Sequence, residues 1–342
     1  MTTPSNSLTA PLKPAPEEGG ADFSLMDSVR SGAEMILLFG GRLAMALITL
    51  FVIAYVAFVG LRMAQGIDFA PALALGLGDL GEWLRALLHG DLGLSSSASR
   101  GLRPVPVSSV LPAILIRSFG LMAAALLLTL LIGVPLGAVS AKQRNSRLSL
   151  VTFVLSLLGA SLPTFFIAML LQMAVLGYMR RTGQPAPLPV GGFGWDAHIV
   201  LPALALAARP IAQVARVTHL SLVEQLDADF VRTARAKGLR EWRIWTGHIA
   251  RNAAIPILTT LATTLRFTLS SLAIVELFFG WPGVGFNLLR AIGSGDTNLT
   301  VALLLSLGVL FIIINWLVEW AYGRLDPRVK RALSAHRREG SA

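Results

Sequence analysis

The chain has 342 residues, 54% of them hydrophobic and only 14% charged, with a mean hydropathy of +0.67 and no cysteine. A soluble domain carries about 25% charged residues, so this composition excludes an ordinary soluble enzyme and a disordered chain, and the missing cysteine excludes disulfides, thiolate metal sites and a cysteine nucleophile. The net charge of +10 does not point to nucleic acid, because the basic residues lie between long apolar runs rather than in one basic domain.

Residues 1–35 are rich in Pro, Ser and Gly, and their acids (Glu17, Glu18, Asp22, Asp27, Glu34) outnumber their bases (Lys13, Arg30). No basic start leads directly into an apolar core, so the segment reads as a disordered cytoplasmic extension rather than a signal peptide. An amphipathic surface helix near Phe23–Leu38 is the weaker alternative. Apolar runs long enough to cross a bilayer, about 20 residues each, follow at Leu43–Leu61, Ser118–Ala141 and between Arg147 and Arg180, the last read as a tilted span plus part of a loop. A clean run closes the series at Thr297–Val318. Ile199 to about Leu222, with Arg209 and Arg216 inside, and Ile255 to about Phe279, with Arg266 and Glu276 inside, are also counted, since leaving them out strands apolar chain in water. The expected fold class is therefore all-α: a polytopic membrane protein of six transmembrane helices in a lipid bilayer.

Six alternating helices put three basic segments on one side: Lys142, Arg144 and Arg147; Arg232, Arg235, Lys237, Arg240, Arg243 and Arg251; and the tail with Arg324, Arg328, Lys330, Arg331, Arg337 and Arg338. The positive-inside rule makes that side the cytoplasm, with both termini inside. On the other side, Trp83–Leu88 reads as a short interfacial helix stopped at His89-Gly90, and Phe279-Gly280-Trp281-Pro282-Gly283-Val284-Gly285 as a tight turn beside interfacial aromatics.

Enzymatic chemistry finds no support. There is no Gly-x-x-x-x-Gly-Lys-Ser/Thr phosphate loop, no His-Glu-x-x-His and no Gly-x-Ser-x-Gly, and the five histidines lack ligand spacing. Two Gly-x-Gly-Asp strings, at Gly76–Asp79 and Gly293–Asp296, match those of aspartyl intramembrane proteases. Both fall in outer loops with no aspartate in any span, so they read as turns.

The connector from Leu222 to Leu239 carries helix formers and mixed charge, reads as a helix running on from the fourth span, and meets a left-handed stop at Gly238. A second helical stretch, Glu241 to about Ala254, leads into the fifth span at Pro256. Two short helices joined at a glycine make a rigid knob suited to a partner's groove. A solvated basic loop that only sets topology fits the same residues.

Phe230-Val231-Arg232-Thr233-Ala234-Arg235-Ala236-Lys237-Gly238-Leu239 and His248-Ile249-Ala250-Arg251-Asn252 resemble the cytoplasmic Glu-Ala-Ala-x-x-x-Gly signature of ABC-importer permeases, in the variant of the dipeptide/oligopeptide/nickel class, B-type subunit. Arg232-Thr233-Ala234 takes the Glu-Ala-Ala positions and Gly238 the glycine; His248, Ala250 and Arg251 stand where the general signature has Ile, Leu and Pro. Trp83–Gly93, Ile132–Gly137, Ser161–Phe165, Val275–Gly285 and Leu325–Arg328 resemble further family segments in the same order, so the likeness covers about Arg42 to Lys330. The resemblance implies an ABC type I importer permease fold in residues 36–330, with a basic tail at 331–342 and a coupling loop at about 222–255. It implies a non-catalytic subunit that binds no cofactor, ATP and Mg being held by two ABC ATPase subunits. A companion C-type permease and an extracytoplasmic binding protein complete the expected complex in a bacterial inner membrane. Within the loop it implies ATPase coupling by Glu224, Asp229, Phe230, Arg232, Thr233, Ala234, Arg235, Gly238, His248 and Arg251, with Phe230 and Ala234 packed into the ATPase groove. The competing class is a stand-alone secondary transporter or channel driven by an ion gradient, which leaves the helical loop unexplained.

Arg209 and Arg266 depart from the family pattern. Both fall near the bilayer midplane, where a charge costs several kcal/mol unless it meets water or a partner (about 3 kcal/mol or more). Two readings stand side by side: cationic contacts to an anionic substrate group in the aqueous pathway, or structural pairing with Glu276 or with a carboxylate of the companion subunit.

Overall fold

The computed structural model describes residues 20–98, 103–143 and 146–325. The expected tail at 331–342, Arg144, Arg328 and the first 19 residues of the expected extension lie outside these. The helices are α1 (Gly20–Ala64), α2 (Phe69–Leu88), α3 (Val107–Leu128), α4 (Val134–Lys142), α5 (Arg147–Ser161), α6 (Thr164–Thr182), α7 (Val200–Leu226), α8 (Asp229–Ala236), α9 (Glu241–Arg243), α10 (Ala250–Phe279), α11 (Val284–Gly293) and α12 (Thr297–Leu325). A two-stranded antiparallel ribbon pairs β1 (Leu94–Ser95) with β2 (Val105–Pro106). The chain divides into two compact units at Thr49/Leu50, the second holding every element after α1.

Helices dominate because hydrocarbon offers no partner for a backbone N–H or C=O, and a helix satisfies both internally. Among the described residues, five helical stretches are long and apolar enough to cross a membrane: Gly40–Ala64, Val107–Lys142, Ala197–Leu226, Glu241–Phe279 and Thr297–Ala321. α5 and α6 add a sixth only where the pair is counted as one span, since they are bent by 113° at Leu162-Pro163. The expected single tilted span is thus two helices without a loop. Leu162, extended at ψ 134°, is forced out of helical geometry by the proline that follows it.

Helix starts differ from the hydropathy reading for local reasons. α1 begins at Gly20 and so includes the stretch near Phe23–Leu38 for which a surface helix is the alternative; after Pro16 no proline interrupts it. The second span begins at Val107, directly after Pro106, and so contains Arg117 instead of starting after it. The Arg117 guanidinium lies 4.6 Å from the centre of the Phe193 ring. α2 is longer than the expected Trp83–Leu88 segment and buries Ala72, Gly76, Leu80 and Trp83, a face of helical period. Val59 of α1 lies so close that a Cβ on Gly76 would sit 2.8 Å from its Cγ2.

α7 is the central helix, with α3, α4, α5, α6 and α10 packed around it. Small residues permit this crowding. Gly133 and Gly137, spaced as Gly-x-x-x-Gly, face α7, where a Cβ would fall 3.1 Å from the Ile211 carbonyl and 2.6 Å from Thr218 Cβ respectively. Such spacing lets helix backbones approach where no hydrophobic driving force exists between them. Ser140 Oγ meets His219 Nδ1 at 3.0 Å across the same pair of helices.

Candidate functional site

At one end of the bundle α7 stops at Leu226 and α8 starts three residues later at Asp229, so the expected continuous helix is broken at Asp227-Ala228. α8 lays Val231 and Ala234 against Ala141, Leu222, Ile244, Ile249 and Ala253. Gly238 closes it at φ +74°. There the Leu239 N–H donates to the Ala234 carbonyl (3.2 Å) and the Gly238 N–H to the Arg235 carbonyl (2.9 Å), the Schellman pattern that satisfies a helix's last acceptors. Arg235 then reaches forward and clamps Glu241 through Nε at 2.8 Å and Nη2 at 3.4 Å, which holds its own guanidinium pKa up. The chain re-enters the bundle through α9 and a π-helical turn, Ile244–Ile249, that runs into α10.

This geometry sorts the residues expected to couple. Glu224, Asp229, Phe230, Arg232, Thr233, Arg235, Gly238, His248 and Arg251 are exposed and share the knob, with the Phe230 and His248 rings 6.4 Å apart. Ala234 does not face outward: at 7% exposure it is part of the knob's own core. The outward apolar surface consists of Phe230 with Leu239 and Trp242, the last 61% exposed. Sequence reasoning passed over Trp242, although a tryptophan in an otherwise polar connector is a visible signal.

Arg209 and Arg266 lie on the exposed faces of two packed helices. Along α7, Arg209, Gln213, Arg216 and, beyond Leu220, Glu224 recur at three- and four-residue spacing; along α10, Thr259, Thr263, Arg266 and Ser270 do the same. All are half-buried or exposed. Arg209 stacks its guanidinium 4.2 Å from the centre of the Phe267 ring. The Nε of Arg209 and the Nε of Arg266 are buried without a hydrogen-bond partner, and neither arginine has an ion pair among the described residues.

Glu276 is not the counter-ion considered for them. It is fully buried at the end of α10, where it receives the Ser118 hydroxyl, the Gly285 N–H (2.7 Å) and the Phe286 N–H (3.3 Å). Ser118 Oγ in turn accepts the Val284 N–H at 2.7 Å. Together they satisfy the first N–H groups of α11, and the Trp281 turn between α10 and α11 is folded over them.

The family model described as binding-protein-dependent transport system inner membrane component matches residues 133–331. The chain belongs to this family. A protein of Brucella suis biovar 1 (strain 1330), named as a peptide transport system permease, is 34% identical over 272 residues, 79% of this chain and 83% of its own. The dipeptide transport system permease protein DppB of Bacillus subtilis (strain 168) is 35% identical over 213 residues, 62% of this chain and 67% of that protein. A chain of the methionine ABC transporter MetNI, solved in inward-facing conformations, shares the fold at a TM-score of 0.51 and 16% identity, over 64% of this chain and 97% of that one. The protein is accordingly a multi-pass permease subunit of an ABC importer, a class that works with an ATPase and a binding protein.

Proposed function

We propose that this permease carries peptides delivered by an extracytoplasmic binding protein, in a bacterial inner membrane, paired with a C-type companion and driven by two ATPase subunits. The observation that carries the reading is the α8 knob: a short helix with its own packed core, capped at Gly238, presenting Phe230, Leu239 and Trp242 among arginines. An unpartnered apolar cluster on a rigid support is what helix-in-groove docking requires. The peptide assignment follows the names of the relatives. ATP and Mg belong to the ATPases, this chain holding no cofactor and catalysing no reaction.

The cytoplasm is the side of the knob. Lys142, at the end of α4, and Arg147, at the start of α5, follow Ala141, which packs against Val231 and Ala234, so these two cations gather at the same end as Arg232, Lys237, Arg240 and Arg243. Both termini would then be cytoplasmic. ATP-driven closure of the ATPase dimer would draw the knobs of the two permeases together and rock them between inward- and outward-facing states. Purification of the tagged chain in mild detergent tests this: a second six-span protein and an ABC ATPase are expected in stoichiometric amount. Recovery of a chain that transports in proteoliposomes without an ATPase would favour the secondary-transporter reading instead.

A further inference from the structure

Midway along the polar faces of α7 and α10 stand two cations, Arg209 and Arg266, that nothing else in the described chain neutralises. From Ala197, the start of the α7 span, Arg209 lies about 18 Å along the axis; from Phe279, the end of α10, Arg266 lies about 20 Å. Those helix ends are neighbours, since the Gly192 N–H donates to the Phe279 carbonyl at 2.7 Å just ahead of the α7 span. Both guanidinium groups therefore stand at one depth, in the middle of the bundle. No Asp or Glu occurs between Val200 and Val223 or between Trp242 and Val275. Glu276, the carboxylate closest in sequence to Arg266, is fully engaged with Ser118 and the start of α11, and Asp196, the closest to Arg209, is paired with His198.

A lipid-facing surface does not carry Gln213, Thr259, Thr263 and Ser270 around two permanent cations. A water-filled wall does. Stacking on Phe267 fixes the plane of the Arg209 guanidinium, and a fixed fork matches a carboxylate with little further ordering.

We infer that the α7–α10 face lines the translocation pathway and that Arg209 and Arg266 hold the carboxylate of the passing solute. The inference rests on the transport reading above and adds the solute's chemical class. The alternative source of the same chemistry is a carboxylate of the companion subunit seated against the arginines.

The absence of cysteine makes the chain its own blank for labelling. In the intact complex, the Thr263→Cys variant, substituted at an exposed position one turn from Arg266, is reacted with anionic sulfonatoethyl methanethiosulfonate and, separately, with cationic trimethylammonioethyl methanethiosulfonate. The attachment is read on this chain by mass. With each rate taken relative to the same reagent's rate on free mercaptoethanol, an unneutralised pair of cations in an aqueous cleft makes the anionic reagent faster by about 10-fold. Arg209→Gln with Arg266→Gln abolishes that preference, whereas Arg209→Lys with Arg266→Lys keeps it and controls for folding. Equal rates for the two reagents, as a companion carboxylate would give, or no reaction with either, as lipid would give, overturn the inference. Uptake of dialanine and dialanine amide adds a second readout: Arg266→Gln lowers dialanine uptake about 10-fold more than amide uptake, and equal loss overturns the carboxylate contact. A wild-type complex that shows the labelling preference but imports no peptide defeats the peptide reading alone. Peptide import without the preference defeats the anion site alone.

Discussion

A carboxyl group fully removed from water is destabilising unless its oxygens find donors, and at Glu276 they find three. The Ser118 hydroxyl and the Gly285 and Phe286 amides converge on it from elements 158, 9 and 10 residues away in sequence. A Cβ on Gly283 would collide with both Glu276 and Ser118, which is why the turn needs a glycine there. The side chain thus serves as a cap for α11 supplied from α10. Glu276→Ala leaves two buried backbone donors and a hydroxyl unpaired and is expected to cost about 2–3 kcal/mol, whereas Glu276→Gln retains an accepting oxygen and costs about 1 kcal/mol. The ordering is read from the midpoint of heat-induced aggregation of the detergent-solubilised protein. Equal loss for both substitutions would show that the charge, not the acceptor geometry, holds the turn. From sequence this glutamate invites pairing with Arg209 or Arg266, because charges inside apolar runs attract attention to one another. Its real partners are a serine and two main-chain amides, none of which a charge pattern can announce.

At the scale of one element, α8 separates docking surface from support. Val231 and Ala234 close the knob's core, while Phe230 and Trp242 leave it without contributing to that core. Ala234→Leu overpacks the cluster and should destabilise the protein by about 1–3 kcal/mol. Phe230→Ala with Trp242→Ala should leave the thermal midpoint within the error of the wild type yet strip the ATPase from the purified complex. Thermal melting beside quantified ATPase co-purification decides it: loss of stability in the double alanine variant would place those rings in the core. The boundaries of the knob are partly legible in the sequence. Gly238 announces the helix end because only glycine tolerates φ +74° without strain. The break at Asp227-Ala228 and the inward face of Ala234 are not legible, since an eight-residue helix is too short for its period to say which side meets the bundle. The same limit explains α5 and α6: their apolar content is plain, but hydropathy has no direction and cannot report a 113° bend.

Over the whole molecule the spans are legible because a run of about 20 apolar residues has one solution in a bilayer. The contacts that join distant parts of the chain are not. Asp296 is the clearest of these: just before α12, it accepts from the Ser95 hydroxyl (2.6 Å), the Ser97 amide and hydroxyl (3.0 and 2.7 Å) and the Leu299 amide (3.1 Å). It therefore caps α12 and ties the β1 ribbon to it across 201 residues of chain. Burial alone would raise its pKa, but the serine hydroxyls and the amides outweigh that and hold the carboxyl below the ordinary aspartate range. A carboxyl depressed in the folded state stabilises it fully above the unfolded value, about pH 4, and loses that contribution as pH falls through the folded pKa. Amides around Ser95 and Ser97 should consequently stay protected from hydrogen exchange at pH 5 to 8 and open below about pH 4. Asp296→Asn, which cannot ionise, should show weaker protection that no longer changes across that acid range. Exchange measured by mass spectrometry on the purified complex checks both, and an acid opening that persists unchanged in Asp296→Asn would assign the sensitivity to another group.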